Sequence, residues 1–362
     1  MTQNPAFSKV IQLVDHITNT WNPKMKWMWG EALFGYALSE LDNYLGSNRY
    51  TAFLTAYCDY YVAHPPKINQ SDTVAPGLIT YVMGRKTGRC DYQKLTCRVL
   101  DYIKNEPRLL EDSVNHLGNS FVGKCYPKSI WVDSLMMFSV FPAIVAKNEQ
   151  DEQLMEIAAR QPRIMAKYMQ DPSDKLWYHA YWVHQKTHYP KHKLFWGRGN
   201  GWVMAALPMI LDQIGDHPER ETIIRIFQET SQALKPYQRS DGAFETIINR
   251  PGKTYRELSF TALVAYGFLT GVRHQWLDST YLEQGLKAFQ AVQTAIVEKN
   301  GEWLLPEISG PTIPLPLFPY LGYKWIPRGN NWAYGLAAVI FAAIEQDRYY
   351  QTHKTQKKDE TR

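Results

Sequence analysis

Apolar residues recur at helical spacing in segment after segment of this chain, while period-two runs rich in Val, Ile and Thr are nearly missing. That pattern argues against sheet-based folds and predicts about twelve helices, over about 6–20, 30–45, 47–64, 75–86, 90–105, 130–147, 151–170, 199–214, 217–237, 256–271, 278–297 and 331–349. Every second one opens on a polar and aromatic first turn: MWGE, QSDTVAPG, WVD, WGRGNGW, YRELS and PRGNNWAYG. The intervening starts, such as CDYQ, DEQL and HPER, are plain polar caps. Helices that alternate up and down around a closed ring bring all the aromatic starts to one end. The expected fold is therefore all-α, an (α/α)6 toroid or barrel with a central pocket at that end. Six helix N-termini would also aim partial positive charge into the pocket, which favours an anionic ligand.

No Pro/Ser-rich linker and no legible repeat divides the 362 residues, so a single catalytic domain over 1–350 is expected, with a flexible tail at 351–362. Longer non-helical stretches fall at 106–129, 171–198, 238–255 and 298–330 and carry much of the Trp, Tyr, His and Gly. Loops of such length in a compact domain are usually functional. The formal charge is +5, but the 40 Lys and Arg are scattered and form no sustained block, which excludes a nucleic-acid tract. A basic cleft for a small anionic substrate remains open. Aromatic residues reach 14%, with 12 Trp and 23 Tyr, many beside Gly, Asp, Asn or His. Flat rings with a polar tip suit sugar faces as well as cores.

The four cysteines show no CxxC pair or metal spacing and read as buried reduced thiols. The first residues, MTQNPAFSKVIQLVDHITNTW, lack the charged, apolar and small-residue order of a secretory signal, and no run approaches a membrane span of roughly 20 residues. A cytoplasmic protein follows, with no cofactor and no membrane partner. None of these patterns speaks to oligomeric state.

Several residues could carry chemistry. Asp133 lies between Trp131 and the apolar Leu135, Met136 and Met137, where desolvation raises a carboxyl pKa while a helix N-terminus lowers it. Taken alone it reads as a helix cap more than as a catalyst. Asp72 in QSDTVAPG reads as a turn and cap before Pro76. Glu31 and Glu257 sit at two further aromatic helix starts and are expected to hydrogen-bond the loops of the mouth. WGRGNGW has no GK[ST] ending and no buried strand ahead of it, so phosphate-loop readings fail. Its glycines would let backbone approach a ligand, Arg198 would offer a planar fork to a carboxylate, and Trp196 and Trp202 would face a sugar ring. His179, His184, His188 and His192 stand five, four and four residues apart. Pro190 interrupts any helix through them and no carboxylate interleaves, so no metal is expected there.

The segments YPKSIWVDSLMM, HAYW, WGRGNGW, YRELSFTALVAYG and PRGNNWAYG, in that order from about Trp27 to Ala343, resemble the unsaturated rhamnogalacturonyl and glucuronyl hydrolases, glycoside hydrolase families 105 and 88. The resemblance implies an (α/α)6 barrel that removes a 4,5-unsaturated uronic acid from the non-reducing end of lyase-generated oligosaccharides by hydrating the vinyl ether. Asp133 would be its acid and base and Asp72 the second aspartate. Trp29, His179, Trp196, Arg198 and Trp202 would line the substrate pocket. A His-Lys pair common before the Tyr-Pro of this motif is replaced by Phe121-Val122-Gly123-Lys124-Cys125-Tyr126. Lys124, from a shifted position, and Tyr126 are then the expected substrate contacts, and specificity is open at this point. Two rivals remain: another enzyme on the same toroid, such as an epimerase or inverting glycosidase, and a non-catalytic sugar-binding protein.

Overall fold

The computed structural model describes residues 4–359. Among them are fourteen α-helices: α1 Pro5–Thr20, α2 Trp29–Leu45, α3 Thr51–Ala63, α4 Gly77–Thr87, α5 Cys90–Asn105, α6 Phe121–Cys125, α7 Phe141–Glu149, α8 Glu152–Met169, α9 Gly197–Leu211, α10 Arg220–Leu234, α11 Leu258–Arg273, α12 Thr280–Ala295, α13 Pro319–Lys324 and α14 Ala333–Asp359. Setting aside the two short ones, α6 and α13, leaves the twelve expected. α2, α4 and α7 pack in turn, the π-helical turn Met136–Val140 that leads into α7 meets α9, and α9, α11 and α14 follow, with α14 returning to α2, which closes an inner ring. α1, α3, α5, α8, α10 and α12 lie outside it, against α14, α4, α4, α7, α9 and α11. The fold is an (α/α)6 barrel.

Sequence decides which ring a helix joins. Every residue of α9 is buried, as is α11 from Leu258 to Gly271, because both are largely apolar or small all round, with Arg198 and Asn200 of α9 the polar exceptions. α5 buries only Tyr92, Leu95, Thr96, Val99 and Ile103, one stripe at helical spacing, and turns its charged residues outward. Boundaries follow ordinary capping chemistry. Asp151 accepts from the Leu154 amide at 2.9 Å to start α8, and left-handed Gly46 and Gly88 end α2 and α4. No described helix is long and apolar enough to cross a membrane.

Three expectations need correction. The helix expected from 130 starts later: Ser129–Trp131 is a strand, paired antiparallel with Ala180–Trp182, which pairs in turn with Thr187–Tyr189. A π-helical turn, Met136–Val140, then leads into α7, where Pro142 offers no N–H to continue a regular ladder. Asp133 therefore sits in the turn between strand and helix. At the other end, α14 continues to Asp359, past the expected boundary near 350, and residues 360–362 lie outside the described ones. Among the cysteines only Cys58 is buried; Cys90, Cys97 and Cys125 are exposed.

Candidate active site

A cavity of about 540 Å³ opens where the inner helices begin. Trp29 and Glu31 come from the first turn of α2, and Asp72 from the 3-10 turn Ser71–Thr73 ahead of α4. Asp133 precedes α7, Trp196 and Arg198 open α9, and Trp332 and Tyr334 open α14. α11 takes part indirectly: Glu257 caps it by accepting from the Phe260 amide at 2.7 Å and also accepts from the Ser309 amide at 3.0 Å, holding the loop that roofs the cavity. The convergence expected from alternate helix starts is thus physical.

The carboxyl of Asp133 is the most perturbed acid in the cavity. Its side chain is 15% exposed, and Oδ2 has no hydrogen-bond partner. Burial pushes its pKa up to about 6, against the positive charge that His116 and Arg198 present and with the help of the Asp72 carboxylate. In the contest between desolvation and stabilising neighbours, desolvation wins. Glu31, also at the cavity wall, is raised by burial and opposed by Lys26.

His116 was not anticipated. It stacks on Trp131 with ring centroids 4.2 Å apart and planes 8° from parallel, and its Nδ1 lies 2.7 Å from the Ser134 hydroxyl. Its Nε2 faces Asp72 Oδ1 at 3.5 Å. The Ser71 amide donates to the His116 carbonyl at 2.9 Å, so the turn carrying Asp72 and the loop carrying His116 are tied together. His116, beyond the short strand Ser113–Val114, thus places a histidine at the cavity wall although none stands in 121–126. A lone His in SVNHLGN has no spacing that would single it out. Replacing His116 with Ala is expected to lower kcat/KM about 100-fold by releasing Asp72 and Trp131 from register, with the melting curve measured alongside to separate folding loss from misplacement.

Of the other expected contacts, Trp29, Trp196 and Arg198 line the cavity with Asp72 and Asp133, while His179, Trp202, Tyr126 and Lys124 do not. His179 is fully enclosed behind the wall. It stacks on Trp196 at 4.1 Å, its Nδ1 is 3.0 Å from the Tyr323 hydroxyl, and its Nε2 is 3.6 Å from Asp133 Oδ2, too far for a hydrogen bond. Burial holds its pKa well below the usual value, so it is neutral and does not stabilise the Asp133 carboxylate as an ion pair. Trp202 is buried and meets Trp29 edge-on at 5.8 Å, while Trp29 stacks on Tyr334 at 4.7 Å. The Tyr126 hydroxyl donates to the Pro314 carbonyl, and Lys124 is exposed on α6.

Arg198 departs furthest from its expected role. It is completely buried, between the rings of Trp196 at 5.0 Å and Tyr334 at 4.6 Å. Its Nη1 donates to the Ser309 carbonyl at 2.6 Å, and its Nη2 to the Gly310 carbonyl at 2.8 Å and to the Thr312 hydroxyl at 3.2 Å. The fork that was expected to meet a carboxylate holds the roof loop, and only Nε lacks a partner. The neighbouring glycines also serve packing. A Cβ at Gly197 would come within 2.6 Å of the Phe260 ring, and one at Gly201 within 2.9 Å of Leu263, so these positions let α9 approach α11.

Buried carboxyls beneath an aromatic mouth, at the amino ends of an inner helical ring, define a carbohydrate-active (α/α)6 enzyme. The chain belongs to Glycosyl Hydrolase Family 88, whose model matches residues 4–350. It is 25% identical over 350 residues to the unsaturated rhamnogalacturonyl hydrolase YesR of Bacillus subtilis (strain 168), covering 95% of this chain and 97% of that protein. A family 105 glycoside hydrolase from C. acetobutylicum ATCC 824 superposes with a TM-score of 0.84 at 22% identity, covering 96% of this chain and 100% of the other. The unsaturated glucuronyl hydrolase of Bacillus sp. GL1 superposes with a TM-score of 0.74 at 13% identity, over 94% and 97% of the two chains.

Proposed function

We propose that the chain hydrolyses the terminal 4,5-unsaturated uronic acid of short oligosaccharides, with an unsaturated galacturonyl residue linked to rhamnose as its first candidate substrate. The observation that carries this reading is Asp133: a carboxyl at the cavity wall whose burial pushes its pKa up to about 6. Such a group can hold a proton near neutrality and deliver it to carbon. Likeness to the Bacillus subtilis rhamnogalacturonyl hydrolase over nearly its full length supports the choice of sugar.

In this mechanism Asp133 gives its proton to C4 of the ring double bond, and the positive charge formed at C5 is shared with the ring oxygen. Water adds at C5 and returns a proton to Asp133. The hemiketal opens to a C5 ketone, which leaves a hemiacetal at C1 that collapses to an aldehyde and releases the next sugar. Asp72, held by the His116 loop, orients the water, and Trp29 and Trp196 flank the ring. No second carboxylate nucleophile is needed, unlike conventional retaining hydrolysis.

Incubation with a rhamnogalacturonan-lyase digest is expected to remove the ultraviolet absorbance of the double bond. Because the proton donor must start protonated, kcat/KM should fall as pH rises through about 6. Loss of no absorbance from any unsaturated uronyl oligosaccharide, or product release from saturated ones alone, would reject the reading.

A further inference from the structure

Beside the mouth lies an apolar face that, apart from Ile313 and Trp332 at the cavity wall, neither the core nor the proposed chemistry accounts for. Among the described residues ten large hydrophobic side chains are exposed, and eight of them fall in two segments, 121–122 and 313–332. The hydrogen bond from the Tyr126 hydroxyl to the Pro314 carbonyl joins these segments. Phe121 is 85% exposed, Leu317 73%, Phe318 72% and Trp325 69%. At about 200 Å² per fully exposed side chain, the eight present roughly 900 Å² of apolar surface. Monomeric proteins seldom expose patches of that size, and a stable complex needs about 800 Å² from each partner.

We propose that a second copy of this chain docks on this face in a two-fold dimer that borders the active-site mouth. The face is self-complementary in chemistry. The stretch from Pro311 to Leu317 pairs in no strand and carries Pro311, Pro314 and Pro316, which have no N–H to add to a sheet. It presents Ile313, Leu315 and Leu317 as a stiff apolar strip. Phe121, Phe318 and Trp325 supply exposed rings of the kind on which a proline-rich strip packs. One surface that holds both the strip and the rings suits an isologous interface, where each strip meets the other copy's rings. Phe318 adds a second argument: its φ is 53°, a left-handed conformation costly for an aromatic residue, yet its ring stands exposed. A partner surface gives that ring the burial the single chain does not.

The interface would also act on the site. Ile313 and Trp332 belong both to the exposed face and to the cavity wall, so a docked copy narrows the mouth on that side and favours short oligosaccharides. This inference stands independently of which sugar is hydrolysed.

Sedimentation velocity at about 50 µM, well above the dissociation constant of a stable dimer, is expected to give a species of about 84 kDa, twice the 42.0 kDa chain. The double variant Phe121→Ser, Leu317→Ser should keep its circular dichroism spectrum and sediment as a monomer, its dimer dissociation constant raised at least about 100-fold. Its turnover of an unsaturated disaccharide should stay within about twofold, since neither residue lines the cavity. A wild-type monomer at that concentration, with or without binding to anionic phospholipid vesicles, would overturn the proposal. So would a folded double variant that remains dimeric.

Discussion

Asp133→Asn is expected to abolish turnover while making the protein more stable above pH 7. The amide matches the carboxyl in shape but has no acidic proton for C4, so kcat/KM should fall at least about 1,000-fold. The stability change follows from the same burial that raises the pKa to about 6 from an ordinary value of 3.8. Below pH 3.8 the carboxyl is neutral in both the folded and the unfolded chain, and burial carries no penalty. As pH rises through 6 the folded protein must hold an ionised, poorly solvated carboxylate, at a cost of up to about 3 kcal/mol. The Asn variant escapes that cost, so its gain in melting temperature should be largest near pH 8 and vanish near pH 4. A helix-capping aspartate would behave the opposite way, losing stability on substitution. Retained absorbance loss in the variant, or a lower melting temperature at pH 8, would remove Asp133 from its role.

The barrel and its mouth were readable because they rest on long-range repetition. Twelve amphipathic or fully apolar segments, with aromatic starts on alternate ones, leave few arrangements that bury every stripe. What escaped reading depends on contacts between distant segments. Ser129–Trp131 is too short to show a strand period, and only pairing with Ala180–Trp182 makes it one. His116 enters the site because Trp131 offers it a face and Asp72 an edge, neither of which is near it in sequence. His179 sits inside HAYW, none of whose residues lines the cavity, and packs inward against Trp196 and Tyr323. Arg198 shows the same limit most clearly. A planar fork among tryptophans suits an anion, and two backbone carbonyls more than a hundred residues away satisfy it just as well.

That placement makes Arg198 the position where two roles can be separated. Arg198→Ala removes three donor contacts to the roof loop and leaves the Gly310 carbonyl without its charged partner, while the Ser309 carbonyl keeps the Tyr334 hydroxyl. Losing a buried cation so engaged is expected to cost about 3–5 kcal/mol of stability and to lower kcat/KM at least about 1,000-fold. Arg198→Lys is the informative partner. Lysine keeps the positive charge that lowers the Asp133 pKa, so the pH at which kcat/KM falls should stay near 6, but one ammonium cannot span two adjacent carbonyls. The lysine variant should therefore retain the pH profile and lose stability and activity through the loosened roof. The alanine variant should lose both, its profile displaced to higher pH by the missing charge. If Arg198 worked only as a carboxylate receptor, Arg198→Lys would raise KM and leave the melting temperature unchanged, because a lysine amine could still meet the substrate. A fall in melting temperature together with an unmoved pH profile is the signature of a latch.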